Sequence, residues 1–342
     1  MTRRSRSGQC PAAALVEAAQ MRTETGVTHM VDDISPGAEV AMSAQRHSAR
    51  RPLELDYDRH RITATSVVRL SAFTVSFVMT ALLTGCAGAP MTTGGSLSSY
   101  DNMAASDGVL AKSFIHVSKD DVLAAKTVRI TPTAFSQEAS PTLSAKQRRL
   151  VANAVDRSLC VGLSERFVVV AADQPADLVA HAQITRAAPT DEMAAGASKV
   201  VSFIPSALGV PAPIPRLPIG LGSLTVEAEA QDRTGKQQAA MIWARGANSF
   251  TNSPTVSTAG DAYDLASSFG GDFSQLLVTG ETPFGQSPKL PSLDKIGSSL
   301  GGKPKDVACE AFGRSPGVAG MIAQGVGMPP EWSDKGAPTI DK

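Results

Sequence analysis

Three places in this 342-residue chain hold side chains whose types and spacing could do chemistry. Glu227 and Glu229 share one face of an alternating run, with Asp232 close behind. Paired carboxylates can work as general acid and base. Exposed strands carry the same pattern as a solvated face, which is the expectation here, and His181 is read likewise as a surface or hydrogen-bonded histidine. Gly297 to Gly301, GSSLG, matches the Gly-x-Ser-x-Gly pattern of a serine nucleophile. That elbow needs a strand before the serine and a helix after it. Ser299 instead lies between Pro291 and Pro304 in a glycine-rich stretch that reads as linker, and beyond Cys86 only His116 and His181 are available as bases. Gly297, Gly302 and Lys303 nearly spell a phosphate cradle. Pro304 stands where a Ser or Thr would ligate magnesium, and it lacks both hydroxyl and N–H. No catalytic residue, metal or cofactor is expected.

The cysteines are more informative. Cys10, Cys86, Cys160 and Cys309 are too scattered for a zinc site, which needs closely spaced pairs. Before Cys86 lies an uncharged run, Leu70 to Leu83, preceded by Arg59, Arg61 and Arg69. A bilayer-spanning helix needs about 20 apolar residues, whereas this run has the length of a signal-peptide core. Leu83-Thr84-Gly85-Cys86 resembles a bacterial lipobox. The resemblance implies cleavage before Cys86 and acyl chains on that cysteine, since one chain anchors weakly and several anchor durably. Ala87, a residue other than Asp, then favours the outer membrane, with the chain facing the periplasm. Residues 1 to about 60 are polar and unpatterned, which fits a start further downstream, at Met42 or at Val67 or Val68.

The elements that position these residues follow the cysteine. Residues 86–115 read as lipid anchor and tether, because Ala87 to Ser99 is rich in Gly, Ser, Thr and Pro. Thr127 to Phe135 alternates as a half-buried strand. Ser144 and Gln147 form a capping box. Val151, Val155, Leu159 and Leu163 then make one helical stripe, predicting a helix to about Arg166. Phe167 to Ala172 is a short apolar strand. Leu178, Ala180, Ala182 and Ile184 alternate with Val179, His181, Gln183 and Thr185. Leu224 to Ala247 reads as a hairpin turning at Asp232 to Gly235. A second helix is expected from near Thr258, with Asp261 completing a capping box and Gly280 as C-cap. The order β-α-β-β, insertion 188–222, β-β-α predicts an α+β fold over 116–280: a mainly antiparallel sheet with two helices on one face. Residues 281–342 read as an irregular Gly/Pro-rich tail, shortly helical near Asp306 to Phe312.

Gly94 to Met103, GGSLSSYDNM, resembles the Gly-x-Leu-x-x-Tyr segment that follows the lipidated cysteine in the Gram-negative lipoproteins of domain of unknown function 3313. KTVRITPTAF, the Ser144 helix and ADLVAHAQIT are similar to the next blocks of that family. The resemblance covers roughly Cys86 to Gly280. It implies a periplasm-facing envelope lipoprotein and carries over no activity.

On its helix Cys160 lines up with Arg149, Asn153 and Asp156, away from the apolar stripe. A lone thiol there is not expected to stay free in an oxidising compartment, so a disulfide with Cys309 is expected to fasten the tail to the helix. Val200 to Leu224 carries one charge, Arg216, and its prolines forbid a continuous helix. Such a stretch either folds over the bare sheet or contacts a partner or membrane. The contact candidates are Phe203, Ile204, Leu208, Val210, Ile214, Leu217 and Ile219. Lys+Arg and Asp+Glu are both 32, which argues against nucleic acid. The expectation is a non-enzymatic lipoprotein of the outer membrane, held by acyl chains on Cys86 and contacting another envelope protein. The alternatives are a periplasmic hydrolase using Glu227 or His181, and a small-ligand binder.

Overall fold

Reciprocal capping starts the first long helix. Ser144 Oγ accepts from the Gln147 N–H at 3.2 Å, while Gln147 Oε1 accepts from the Ser144 N–H at 3.0 Å. The computed structural model describes residues 89–207, 216–286 and 290–338, all within the unit Ala87–Lys342. In chain order the strands are β1 (Ala104–Ala105), β2 (Ala111–Val117), β3 (Thr127–Ile130), β4 (Ala134–Phe135), β5 (Val168–Val170), β6 (Leu178–Ala188), β7 (Ser223–Asp232) and β8 (Gln237–Gly246). The helices are α1 (Lys119–Ala124), α2 (Ala145–Leu163), α3 (Glu192–Ala207), α4 (Gly260–Thr279), α5 (Leu293–Ser299), α6 (Gly317–Gly325) and α7 (Pro330–Ser333), with a 3₁₀ turn at Val307–Phe312.

One mixed sheet runs β1-β2-β8-β7-β6-β3-β5, with β4 also on β6. Pairing is antiparallel from β1 to β6, and parallel where β3 meets β5 and β6 and where β4 meets β6. The fold is therefore α+β with a mostly antiparallel sheet, and α2 and α4 cover one face. Val151, Val155, Leu159 and Leu163 of α2 are buried, as are Leu265, Phe269, Phe273 and Leu276 of α4. Trp243 of β8 meets Phe269 edge-on at 5.7 Å. The helices approach closely because two glycines lack a Cβ. One built on Gly270 would lie 2.5 Å from Ser158 Cβ, and one on Gly162 would meet the Ser274 side chain.

Several expectations change. The tether ends earlier than residue 115, because β2 pairs along its whole length with β8. Its buried positions are the small residues Ala111 and Ser113, which leave little hydrophobic signal. The capping box at Thr258 does not form: the N-cap is Ala259, and Asp261 turns inward to bind Arg216. The insertion is not free of helix. α3 runs through Pro205, which lies in its last turn, so only one intrahelical bond is lost. Arg216, the single charge there, is 4% exposed and pairs with the buried Asp261, which also accepts from the Gly222 N–H at 2.7 Å. Burying both partners fixes the returning chain at one place.

The described part of the tail, 290–338, packs on the domain as well. The 3₁₀ turn lies on α2, Asn153 Nδ2 donates to the Phe312 carbonyl at 2.9 Å, and Arg157 and Tyr263 both bind Asp334. The polar row of α2, where a disulfide to Cys309 is expected to fasten the tail, is thus the surface on which the tail docks.

Candidate functional site

Strand alternation sends Leu224, Val226, Ala228 and Ala230 to the helices and Glu227 and Glu229 to the opposite face. That face is not solvated. Glu227 and Glu229 are 0% and 1% exposed. Residues Ala89 to Tyr100 lie across them, so the segment read as a tether is part of the fold.

The two carboxylates hold this segment by receiving its donors. Glu227 Oε1 accepts from the Gly94 N–H at 2.7 Å. Its Oε2 accepts from the Ser96 N–H and Oγ and from the Tyr100 hydroxyl, at 3.0, 2.5 and 2.8 Å. Glu229 Oε2 accepts from the Ser98 N–H and Oγ at 2.8 and 2.7 Å and from Gln237 Nε2, and Oε1 accepts from Gln231 Nε2 at 2.7 Å. His181 Nε2 lies 3.4 Å from Glu229 Oε1. Burial, reinforced by the Glu227 charge, raises the Tyr100 hydroxyl above its ordinary pKa. Leu97 packs between these polar ties against Ala240 and Ile242, with Met91 and Met103 beside it. A Cβ on Gly94 would come within 2.4 Å of Thr185 Cγ2, so only glycine fits.

Every oxygen of the pair already accepts at least one hydrogen bond. A substrate reaches them only if residues 94–100 lift away. The chemistry this arrangement performs is attachment: two buried anions set the register of an extended segment.

The match to known families bears on this segment. The family described as proteins of unknown function, DUF3313, matches residues 92–273. The chain belongs to that family. In this DUF3313 member the match starts at Thr92, on the segment that docks over the carboxylates, and closes at Phe273 of α4. No curated protein matches the chain. Among solved structures, it is similar to the PelC dodecamer from Paraburkholderia phytofirmans: 10% identity, 50% of this chain, 99% of that chain, TM-score 0.29. Protein XCC0632 from Xanthomonas campestris is similar at 10% identity, over 46% of this chain and 85% of that one, TM-score 0.27.

The remaining candidates separate. Ser299 sits in the last turn of α5 with its hydroxyl on the Lys295 carbonyl at 2.8 Å, not at a strand-to-helix elbow. Lys303 presents its carbonyl to Ser298. Cys160 and Cys309 are joined by a disulfide, both buried. Leu217 is half-buried, while Ile219 is 58% exposed. The side chains of Phe203, Ile204, Leu208, Val210 and Ile214 lie outside the described residues, as does Cys86. Among the described residues no helix is long and apolar enough to cross a membrane, and no three His, Cys, Asp or Glu side chains gather as metal ligands.

Reading residues alone missed Asp156. It is 4% exposed, and its Oδ1 accepts from the Thr133 N–H and hydroxyl. Burial pushes its carboxyl up to about 6 against those two bonds. It lines a groove of about 850 Å³ with Ile130, Val169, Ala308 and Phe312. The signal was its place in the Arg149, Asn153, Cys160 row, where one disulfide partner already marked contact with the tail.

Proposed function

We propose that this chain is a lipid-anchored envelope lipoprotein whose α+β domain is a structural or interaction module rather than a catalyst. In this reading the acyl chains sit on Cys86 in the outer membrane, the domain faces the periplasm, and it contacts another envelope protein. Supporting the anchor is the coincidence of a short apolar core, small residues and a cysteine from Leu70 to Cys86. The observation that carries the reading is the docked segment. Thr225 Oγ1 donates to the Pro90 carbonyl at 3.1 Å, so the fold takes hold of the chain four residues after Cys86. Four residues reach at most about 14 Å. The segment serves as a short mount that keeps the domain against the bilayer and raises its effective concentration there.

Attachment is tested by fractionating cells that express the chain or its Cys86→Ser variant, with mass analysis of the peptide starting at residue 86. The wild type is expected in the membrane fraction with an acylated Cys86, and the variant in the soluble fraction. Unchanged attachment of the variant overturns the anchor.

A small-ligand-binding lipoprotein is the second reading, favoured by the groove beside Asp156. Its ligand would pair an apolar body with a cationic head. Octylamine is the probe: it should raise the melting temperature of the wild type and not of Asp156→Asn, and no shift in the wild type removes this reading.

A further inference from the structure

The docked segment has a direction. Ser98 lies at Glu229, Gly94 at Glu227 and Pro90 at Thr225, so the chain runs toward Cys86 along β7 toward Ser223. It leaves the domain at the sheet end formed by Ala188, Ser223 and Gly246. The same end carries exposed apolar side chains on three separate pieces of chain.

The first piece is α3, which begins there: the Asp191 N–H donates to the Gly220 carbonyl at 2.9 Å and the Thr190 N–H to that of Thr258. It turns Ala195 and Ser198 inward and presents Met193, Ala197 and Val200 outward at spacings of four and three. Met193 is 85% exposed and Val200 67%. The second is the loop returning from α3, where Ile219 is exposed between Arg216 and Gly222. The third is the turn after β8, where Asn248 Oδ1 accepts from the Phe250 and Thr251 N–H groups at 2.9 Å. That turn holds Phe250 out at 81% exposure. Arg216 ties the second piece to the third by donating its N–H to the Ser249 carbonyl at 2.9 Å.

A Phe at the tip of a polar turn beside an uncharged helix stripe marks a contact surface. The occupant follows from where the chain leads. We propose that this end of the domain is a membrane-docking face: Phe250, Ile219, Met193 and Val200 enter the headgroup and upper acyl region beside the lipid anchor. The inference rests on the anchor reading. A single lipidated residue on a four-residue leash leaves the domain free to tumble, whereas shallow apolar insertion at the same end fixes its orientation. The opposite end, with the Asp232–Gly235 turn and β5, then faces away from the bilayer.

The test uses the full chain matured in cells, purified and reconstituted into phosphatidylethanolamine–phosphatidylglycerol vesicles with brominated acyl chains. Phe250→Trp and Val168→Trp place a reporter at the two ends, since Val168 is exposed on β5 at the far end, and fluorescence is read against the parent protein. The Phe250→Trp reporter is expected to shift to the blue and lose more than half its emission to bromine, while Val168→Trp is unaffected. In parallel, Phe250→Asp with Ile219→Asp is expected to make Val168→Trp quenching appear as the domain reorients, with attachment retained. A blue shift without bromine quenching means a second copy or a protein partner covers the face, which overturns the proposal. So does an unquenched, unshifted Phe250→Trp on a vesicle-bound protein, and the anchor then stands. Absence of acyl mass on Cys86 removes both together.

Discussion

Removing the Glu227 carboxylate is the most direct test of how residues 89–100 are held. Glu227→Ala deletes the acceptor for four donors: the Gly94 and Ser96 N–H groups, the Ser96 hydroxyl and the Tyr100 hydroxyl. A hydrogen bond to a charged acceptor contributes about 1.5–3 kcal/mol, so the gross loss is roughly 6–12 kcal/mol. The measured loss is smaller, because the segment has a way out. Undocking rehydrates its donors and restores about 1–2 kcal/mol of conformational freedom per released residue. The net cost stops at the docking energy of the segment, set at about 3 kcal/mol, the upper end of ordinary single-residue effects. That corresponds to a drop of about a hundredfold in the protection of its amides. Hydrogen exchange read by mass spectrometry resolves the outcome. The peptide spanning Gly94 to Ser98 should lose protection, while those from β7 and β8 retain theirs. Glu227→Gln should give a similar result, since its amide nitrogen faces donors and leaves only one acceptor oxygen. Retained protection of Gly94 to Ser98 would falsify the clamp, and equal loss throughout β7 and β8 would make Glu227 a support of the sheet instead.

Three further outcomes follow from buried groups. Asp156 has its folded pKa raised to about 6 from 3.8, so the folded state binds the extra proton and the cost of its charge is absent below pH 4 and complete above pH 6. Asp156→Asn keeps the Thr133 bonds and should stabilise by up to about 3 kcal/mol at pH 7 and not at pH 4; chemical denaturation at both values reads it, and equal effects refute the burial argument. The Cys160–Cys309 disulfide closes a separation of 149 residues. Its reduction should cost about 5 kcal/mol by chain entropy and open the tail to protease before α4; native mass unchanged by reductant means no bond. Gly270→Ala gains about 1 kcal/mol of helix propensity but drives a Cβ into Ser158, so a lower melting temperature is expected, and a higher one shows that α2 and α4 are not in contact there.

What was legible in the sequence were the elements whose local pattern and tertiary role agree. Ser144 and Gln147 cap α2, and its four-residue stripe is the core stripe. Alternation in β6 and β7 separated the two faces of those strands, and the turn at Asp232 to Gly235 marked the hairpin into β8. What was not legible depended on partners distant in the chain. Glu227 and Glu229 have the residue types of a wet face, and the segment that dries them lies about 130 residues earlier, in Gly/Ser-rich chain that reads as linker. The polar row of α2 carried the same ambiguity until the tail covered it. Asp261 has the position of a capping residue, but a buried guanidinium is a stronger claim on a carboxylate than a free N–H.

The cover on the Glu face is specified by spacing rather than by greasiness. Aromatic residues are only 5% of the chain, and the covering segment offers one well-buried large side chain, Leu97. Burial of a single leucine contributes about 2 kcal/mol and would tolerate sliding. The carboxylates do not tolerate it. Glu227 and Glu229 sit two residues apart on one face of β7, and Ser96 and Ser98 sit two residues apart on the segment, each serine giving both its N–H and its hydroxyl to the matching glutamate. A slip of one residue turns Leu97 onto a carboxylate and carries the serine hydroxyls away from it. A buried anion left without donors costs several kcal/mol. The anions thus penalise every register except the one that places Pro90 at Thr225. Under the proposed anchor at Cys86, that register would set the distance between membrane and domain.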